Sequence, residues 1–197
     1  MPIRLRLTTT DDPVFRVLAS EQVREVMRRY SSDDPGPDVP GGLPAYVAED
    51  VGPDEERAHD SAHDRAHDRT QEREHGAEDP APPTPLGCVA LSPLGQSEHP
   101  SETGAAEIKR MYVRETARGR GVARRLLAAV ENLAAERGTR ILKLEVGQRQ
   151  PEAVALYTSA GWQRIDCYGY WKDEPLVICL QKVLTATPAV DGGAGVL

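Results

Sequence analysis

The segment Arg118-Gly119-Arg120-Gly121-Val122-Ala123 has the residue types and spacing of an anion site. Two glycines let a backbone turn sharply and bring its N–H groups up to a bound group. The apolar-periodic run behind them predicts a helix, whose first turn adds free N–H groups and the positive end of its dipole. Such a cradle suits a pyrophosphate. Arg118, Arg120, Arg124 and Arg125 would add positive field. Taken alone, the hexapeptide also reads as a plain strand-to-helix turn with solvated arginines. Neither GxxxxGK[ST] nor GxGxxG is present, so the nucleotide P-loop and the dinucleotide fingerprint are excluded.

Two further clusters have chemical potential. Trp162, Tyr168, Tyr170 and Trp171 crowd one short stretch; Trp162, just after the helix stop, reads as core, and the other three offer aromatic faces that attract cations. Asp173 and Glu174 follow them and would attract a cation as well. His59, His63 and His67 recur at helical spacing, each followed by Asp. A metal site needs fixed geometry and supporting contacts. That segment has nothing apolar to pack with, so it reads as a solvated tract and no metal is expected.

The elements that must position these residues follow from periodicity. Ile3 to Thr9 alternates as a strand. Asp11 or Asp12 would cap the next helix, with Pro13 in its first turn, and the apolar positions from Val14 to Met27 fit one or two short helices. Ser31 to Gly42 is a Pro/Gly/Asp-rich loop, and Leu43 to Glu49 is a strand. Strands are expected at Leu86–Leu91 and Ala105–Arg114, paired antiparallel. Gly119 to Arg137 is the clearest helix, with Val122, Leu126, Leu127, Val130, Leu133 and Ala134 on one face and Gly138 as the stop. Ile141–Val146 reads as a buried central strand, Pro151–Ala160 as a short helix, and Trp162–Cys167 and Leu176–Lys182 as the last strands. The order β-α-β-β-β-α-β-α-β-β implies an α/β fold with a mixed sheet.

Composition bounds the function. The chain has 197 residues and a net charge of −7. Ten acids and four bases between Gly52 and Pro85 account for −6 of that, so the rest is near neutral. Acidity argues against a nucleic-acid partner. No apolar run approaches membrane length and no secretory leader opens the chain, so neither a membrane nor export is expected. Cys88, Cys167 and Cys179 are odd in number without metal-ligand spacing, which suits a reducing cytoplasm and no disulfide framework. Residues 1–184 are expected to form one domain. It would be interrupted by a disordered acidic insertion at 52–85 and followed by a disordered tail at 185–197.

Between Leu86 and Lys182 the sequence resembles the GNAT superfamily of acetyl-CoA-dependent N-acetyltransferases. The family signature [Q/R]-x-x-G-x-[G/A] is met by Arg118, Gly121 and Ala123. EIKRMYV before it, RRLLAAVENLAAERG after it, ILKLEV, and QPEAVALYTSAGW follow in the family's order, with Gln150 where the family often has Asn. The resemblance implies a GNAT-like central sheet of six to seven strands flanked by helices. It also implies acetyl-CoA as cosubstrate, held by Met111, Tyr112, Val113, Arg118, Gly119, Arg120, Gly121, Val122, Ala123, Gln150 and Tyr157. A bulge in the strand before the signature would free a backbone N–H at Met111, Tyr112 or Val113 to polarise the thioester.

Acetyl transfer needs a neutral amine and a protonated leaving thiol. Tyr157 matches the family's tyrosine that protonates the thiolate. Glu107 is the leading candidate to take a proton from the amine, with Glu145 second; the competing reading is an orienting or surface carboxylate. Tyr168, Tyr170 and Trp171 would wall the acceptor pocket, or form a packed loop or a homodimer contact. The expected function is N-acetylation of a primary amine, on a small molecule or peptide, by direct attack in a ternary complex. A non-catalytic acyl-CoA-binding module, or an interaction protein acting through its acidic insertion, is the alternative.

Overall fold

A computed structural model describes residues 2–51, 82–94 and 104–184. The His/Asp repeat and the C-terminal tail lie outside the described residues. Seven strands form one sheet: β1 (Ile3–Thr9), β2 (Pro44–Asp50), β3 (Thr84–Pro93), β4 (Ala105–Val113), β5 (Ile141–Gly147), β6 (Gln163–Ile165) and β7 (Val177–Val183). Among the described residues three α-helices flank it: α1 (Pro13–Tyr30), α2 (Val122–Glu136) and α3 (Pro151–Ser159). The sheet order is β1-β2-β3-β4-β5-β7-β6, antiparallel except where β4 meets β5.

Local chemistry explains the elements. Asp12 caps α1: its Oδ1 accepts from the N–H groups of Val14 and Phe15 at 2.8 and 3.1 Å, with Pro13 opening the helix. One continuous helix stands where two short ones were also open. Its end is Ser31, in the left-handed region at φ 50°. The predicted α2 face is the buried one, from Val122 to Ala134. It packs on Ala48, Leu86, Val89 and Leu91. Phe15 and Leu18 of α1 pack on Ala45, Val47, Cys88 and Ala90, the opposite parity of the same strands. The two helices therefore cover opposite faces of the sheet.

Two expectations need correction. Thr84 and Pro85 belong to β3, so the strand begins inside the proposed 52–85 insertion. Cys167 and Cys179 are disulfide-bonded, with Cα atoms 5.0 Å apart. The pairing of Ile165 with Cys179 across β6 and β7 brings the chain to within two residues of that partner, which the odd cysteine count conceals. Only Cys88 is free, and burial pushes its thiol up. No helix among the described residues is long and apolar enough to cross a membrane.

The feature that makes room for a site is the parting of β4 from β5. They pair in parallel only through Ala105–Ile141, Ala106–Leu142 and Glu107–Lys143. Beyond Glu107 the strands diverge, and β4 changes from buried to half-buried from Lys109 onward.

Candidate active site

Just past this split, β4 bulges. Cys88 pairs with Tyr112 but Ala90 with Lys109, leaving one extra residue on β4. Arg110 absorbs it at φ 52°, a conformation that non-glycine residues seldom adopt. The bulge precedes the Met111–Val113 window and separates its surroundings. Glu107 and Lys109 line one cavity, whereas Met111, Tyr112 and Val113 line a neighbouring cleft.

That cleft, about 700 Å³, runs from β4 along the Arg118–Gly121 turn to α3. Gly119 and Gly121 sit at φ 78° and 79°, and a Cβ at either would meet open space. Gly121 is the N-cap of α2 and no side chain caps that end, so the helix presents its first N–H groups to the cleft. The arginines are not all spent on the cleft. Arg118 Nη2 holds both carboxylate oxygens of Glu25, at 2.7 and 2.9 Å, and Arg120 Nη2 holds Asp50 at 2.9 Å. They fasten the turn to α1 and β2, leaving backbone and Arg124 to face an anion. Among the residues expected to hold the cofactor, only Arg120 is absent from the cleft wall.

Tyr157 on α3 is buried and also faces this cleft. Its ring packs on Trp162 with centroids 5.7 Å apart, and burial raises its phenol well above the ordinary value, keeping it protonated.

The second cavity, about 290 Å³, lies between α1, the split strands and the loops at 31–43 and 166–176. Gln22, Val26, Arg110, Glu145 and Gln150 border both spaces, so the two adjoin. Glu107 and Glu145 stand on the two sides of the split. Glu107 is 5% exposed and paired with Lys109 Nζ at 2.8 Å. Glu145 accepts a backbone hydrogen bond from Trp171, but its Oε1 is buried without a partner. Desolvation, reinforced by the charge of Glu107, pushes Glu145 up to about 7. Gly169, at φ 71°, lets the loop close over it: a Cβ there would stand 3.2 Å from Glu145 Oε1.

The three aromatic candidates part company. Trp171 lines the cavity. Tyr170 is exposed, but it braces Trp171 edge-on at 4.7 Å and its hydroxyl donates to Asp34 Oδ2 at 3.1 Å. Tyr168 is buried beneath Lys143, whose Nζ lies 4.9 Å from the ring centroid, and borders a separate hollow with Ile165 and Gln181. Sequence reasoning missed Gln22 and Arg110. Nothing in the local pattern sets Gln22 apart on its helix, and the strained backbone of Arg110 follows from strand register.

A bulged strand at a sheet split, leading to a glycine turn and an uncapped helix, is the arrangement that the family model matches over residues 43–162, described as the acetyltransferase (GNAT) family. The chain belongs to this family. Family members in general use acetyl-CoA and act on amine acceptors. Over 101 residues it is 36% identical to an IAA acetyltransferase of Azospirillum brasilense, an alignment that spans 51% of this chain and 62% of that relative. The fold matches a GCN5-related N-acetyltransferase from Kribbella flavida at TM-score 0.58 and 18% identity, covering 92% of this chain and 98% of that one. It also matches an IAA acetyltransferase from Bacillus cereus at TM-score 0.54 and 15% identity, covering 93% and 100%. These structural likenesses are of fold.

Proposed function

We propose that the protein moves the acetyl group of acetyl-CoA onto a primary amine by direct attack while both are bound. The observation that carries this reading is that the cleft and the second cavity adjoin and share wall residues, Glu145 among them. The cleft fits the cosubstrate. Gly119 and Gly121 leave room for phosphate against backbone N–H groups, and the uncapped end of α2 adds positive potential. Split strands leave β4 backbone available to an extended arm beside Met111 to Val113.

Glu145 takes the proton that the ammonium must lose before it can attack. A group at about 7 is close to half ionised at neutral pH and can both accept and release that proton. Glu107 acts through it, raising its basicity by negative charge. The N–H of Met111, next after the bulge, is assigned to the developing charge on the thioester oxygen. As nitrogen bonds to the acetyl carbon and the carbon–sulfur bond breaks, Tyr157 gives its proton to the departing thiolate; the second proton that nitrogen sheds restores the Tyr157 phenol, and the proton held by Glu145 passes to solvent. Holding both reactants at one junction supplies the remaining rate through proximity.

Thiol release from acetyl-CoA, followed with a panel of amines, amino acids and peptides, tests this. Release that depends on both enzyme and acceptor is the expected result. Saturable acetyl-CoA binding with no release for any acceptor would replace the enzyme reading with an acyl-CoA-binding module.

A further inference from the structure

The acceptor cavity is roofed, and its unpaired charges are of opposite sign. The 31–43 loop comes over it from the end of α1 and the 166–176 loop from the far side, and they touch. Besides the Tyr170–Asp34 hydrogen bond, Trp171 lies so close to Gly36 that a Cβ there would stand 2.6 Å from the indole. Arg110 Nη2 donates to the carbonyl of Pro37 at 2.9 Å, tying the roof to the floor. A volume of about 290 Å³ sits at the small end of ligand sites. An extended polypeptide acceptor needs an open trough, and over this cavity the two loops meet.

Most charges on the wall are already matched. Lys109 is paired with Glu107. Asp34 accepts from Tyr170 and, at 2.8 Å, from the N–H of Gly36. Glu174 is exposed to solvent. Two charges facing the cavity stand apart from this set. Glu145 has its orphan oxygen, joined by a buried and unpaired Oε1 of Gln22. Arg110 has a half-buried guanidinium whose hydrogen bond goes to a neutral carbonyl, and it forms no salt bridge among the described residues. Burial lowers its pKa even though Asp38 and Glu107 act on it from a distance. A partly buried charge with no counter-charge in contact is costly, and a ligand of opposite sign would offset the cost.

Resting on the acetyl-transfer reading above, we propose that the acceptor is a free amino acid or a close analogue. Its amine meets Glu145 and Gln22, and its carboxylate meets Arg110. A guanidinium fork suits a carboxylate better than any other side chain does.

The test compares kcat/KM for free amino acids, their primary amides, the amines left by decarboxylation, and dipeptides with the same first residue. Free amino acids should exceed the matching amides and amines by about tenfold or more, the worth of one charge-assisted contact, and the dipeptides by more. Arg110→Gln should lower kcat/KM for the amino acid about tenfold more than for the matching amine, while Arg110→Lys should keep part of the preference. A general loss of folding would lower both acceptors together and leave the ratio intact. An amine or amide as good as its amino acid, or a dipeptide that is better, would overturn the assignment while acetyl transfer stands. No acceptor-dependent thiol release for any class of acceptor would overturn acetyl transfer itself and this assignment with it.

Discussion

The cofactor cleft takes most of its anion-facing wall from one stretch of backbone, Met111 to Ala123, whereas the acceptor cavity is assembled from side chains brought in from α1, two loops and two strands. The first depends on turn geometry: positive φ at Gly119 and Gly121 and an uncapped helix end. The second depends on partners, on which carboxylate is paired, which is orphaned, and which loop touches which. A backbone-built site tolerates change around it but not in it. A side-chain site can be retuned one residue at a time, which is how one fold serves many acceptors.

Breaking the backbone half should have the largest effect. Gly121→Glu forces a side chain onto a φ of 79° and sets a negative charge at the proposed phosphate site. Acetyl-CoA affinity measured by calorimetry should fall by about 100-fold or more. Unchanged affinity would mean the cosubstrate binds elsewhere.

On the acceptor side, Glu145→Gln should lower kcat by about 100-fold with little change in acetyl-CoA affinity. The sign with pH follows from the base being active when ionised. Wild-type kcat/KM should rise as pH climbs through about 7, and that limb should vanish in the variant. A limb retained in Glu145→Gln would assign it to another group.

Tyr157→Phe tests the residue that lines the cleft and is proposed to protonate the leaving thiolate. Turnover should drop by about tenfold at saturating acetyl-CoA, with affinity retained. A loss in affinity alone would make Tyr157 a wall of the cleft and nothing more.

Glu107→Gln should have the smallest effect and sharpens the division of labour between the two carboxylates. Removing its charge, and freeing Lys109, lets Glu145 ionise more easily, so the acidic limb should move to lower pH. A limb that disappears would instead make Glu107 the base.

What could be read from the chain follows the same division. Element order, the buried face of α2 and the glycine turn are local, and periodicity or spacing reveals them. Sequence reasoning favoured Glu107 over Glu145 because Glu107 lies on the strand before the signature, and the point of divergence is invisible in one dimension. Pairing of β4 with β5 ends at Glu107 and Lys143. Glu107 is therefore in the closed part of the sheet, while Glu145 is just past the split. The bulge at Arg110 is a property of register between β3 and β4, and the Cys167–Cys179 bond a property of the β6–β7 pairing. Trp171 and Tyr168 are three residues apart in one aromatic cluster, yet only the first reaches the cavity.

In the proposed mechanism two adjoining spaces hold both reactants at once and share Glu145. Initial rates measured over a grid of acetyl-CoA and acceptor concentrations test this most directly. Simultaneous occupancy predicts double-reciprocal lines that intersect. Parallel lines, with thiol released from acetyl-CoA before any acceptor is added, would show a covalent acyl-enzyme and contradict direct transfer across the junction.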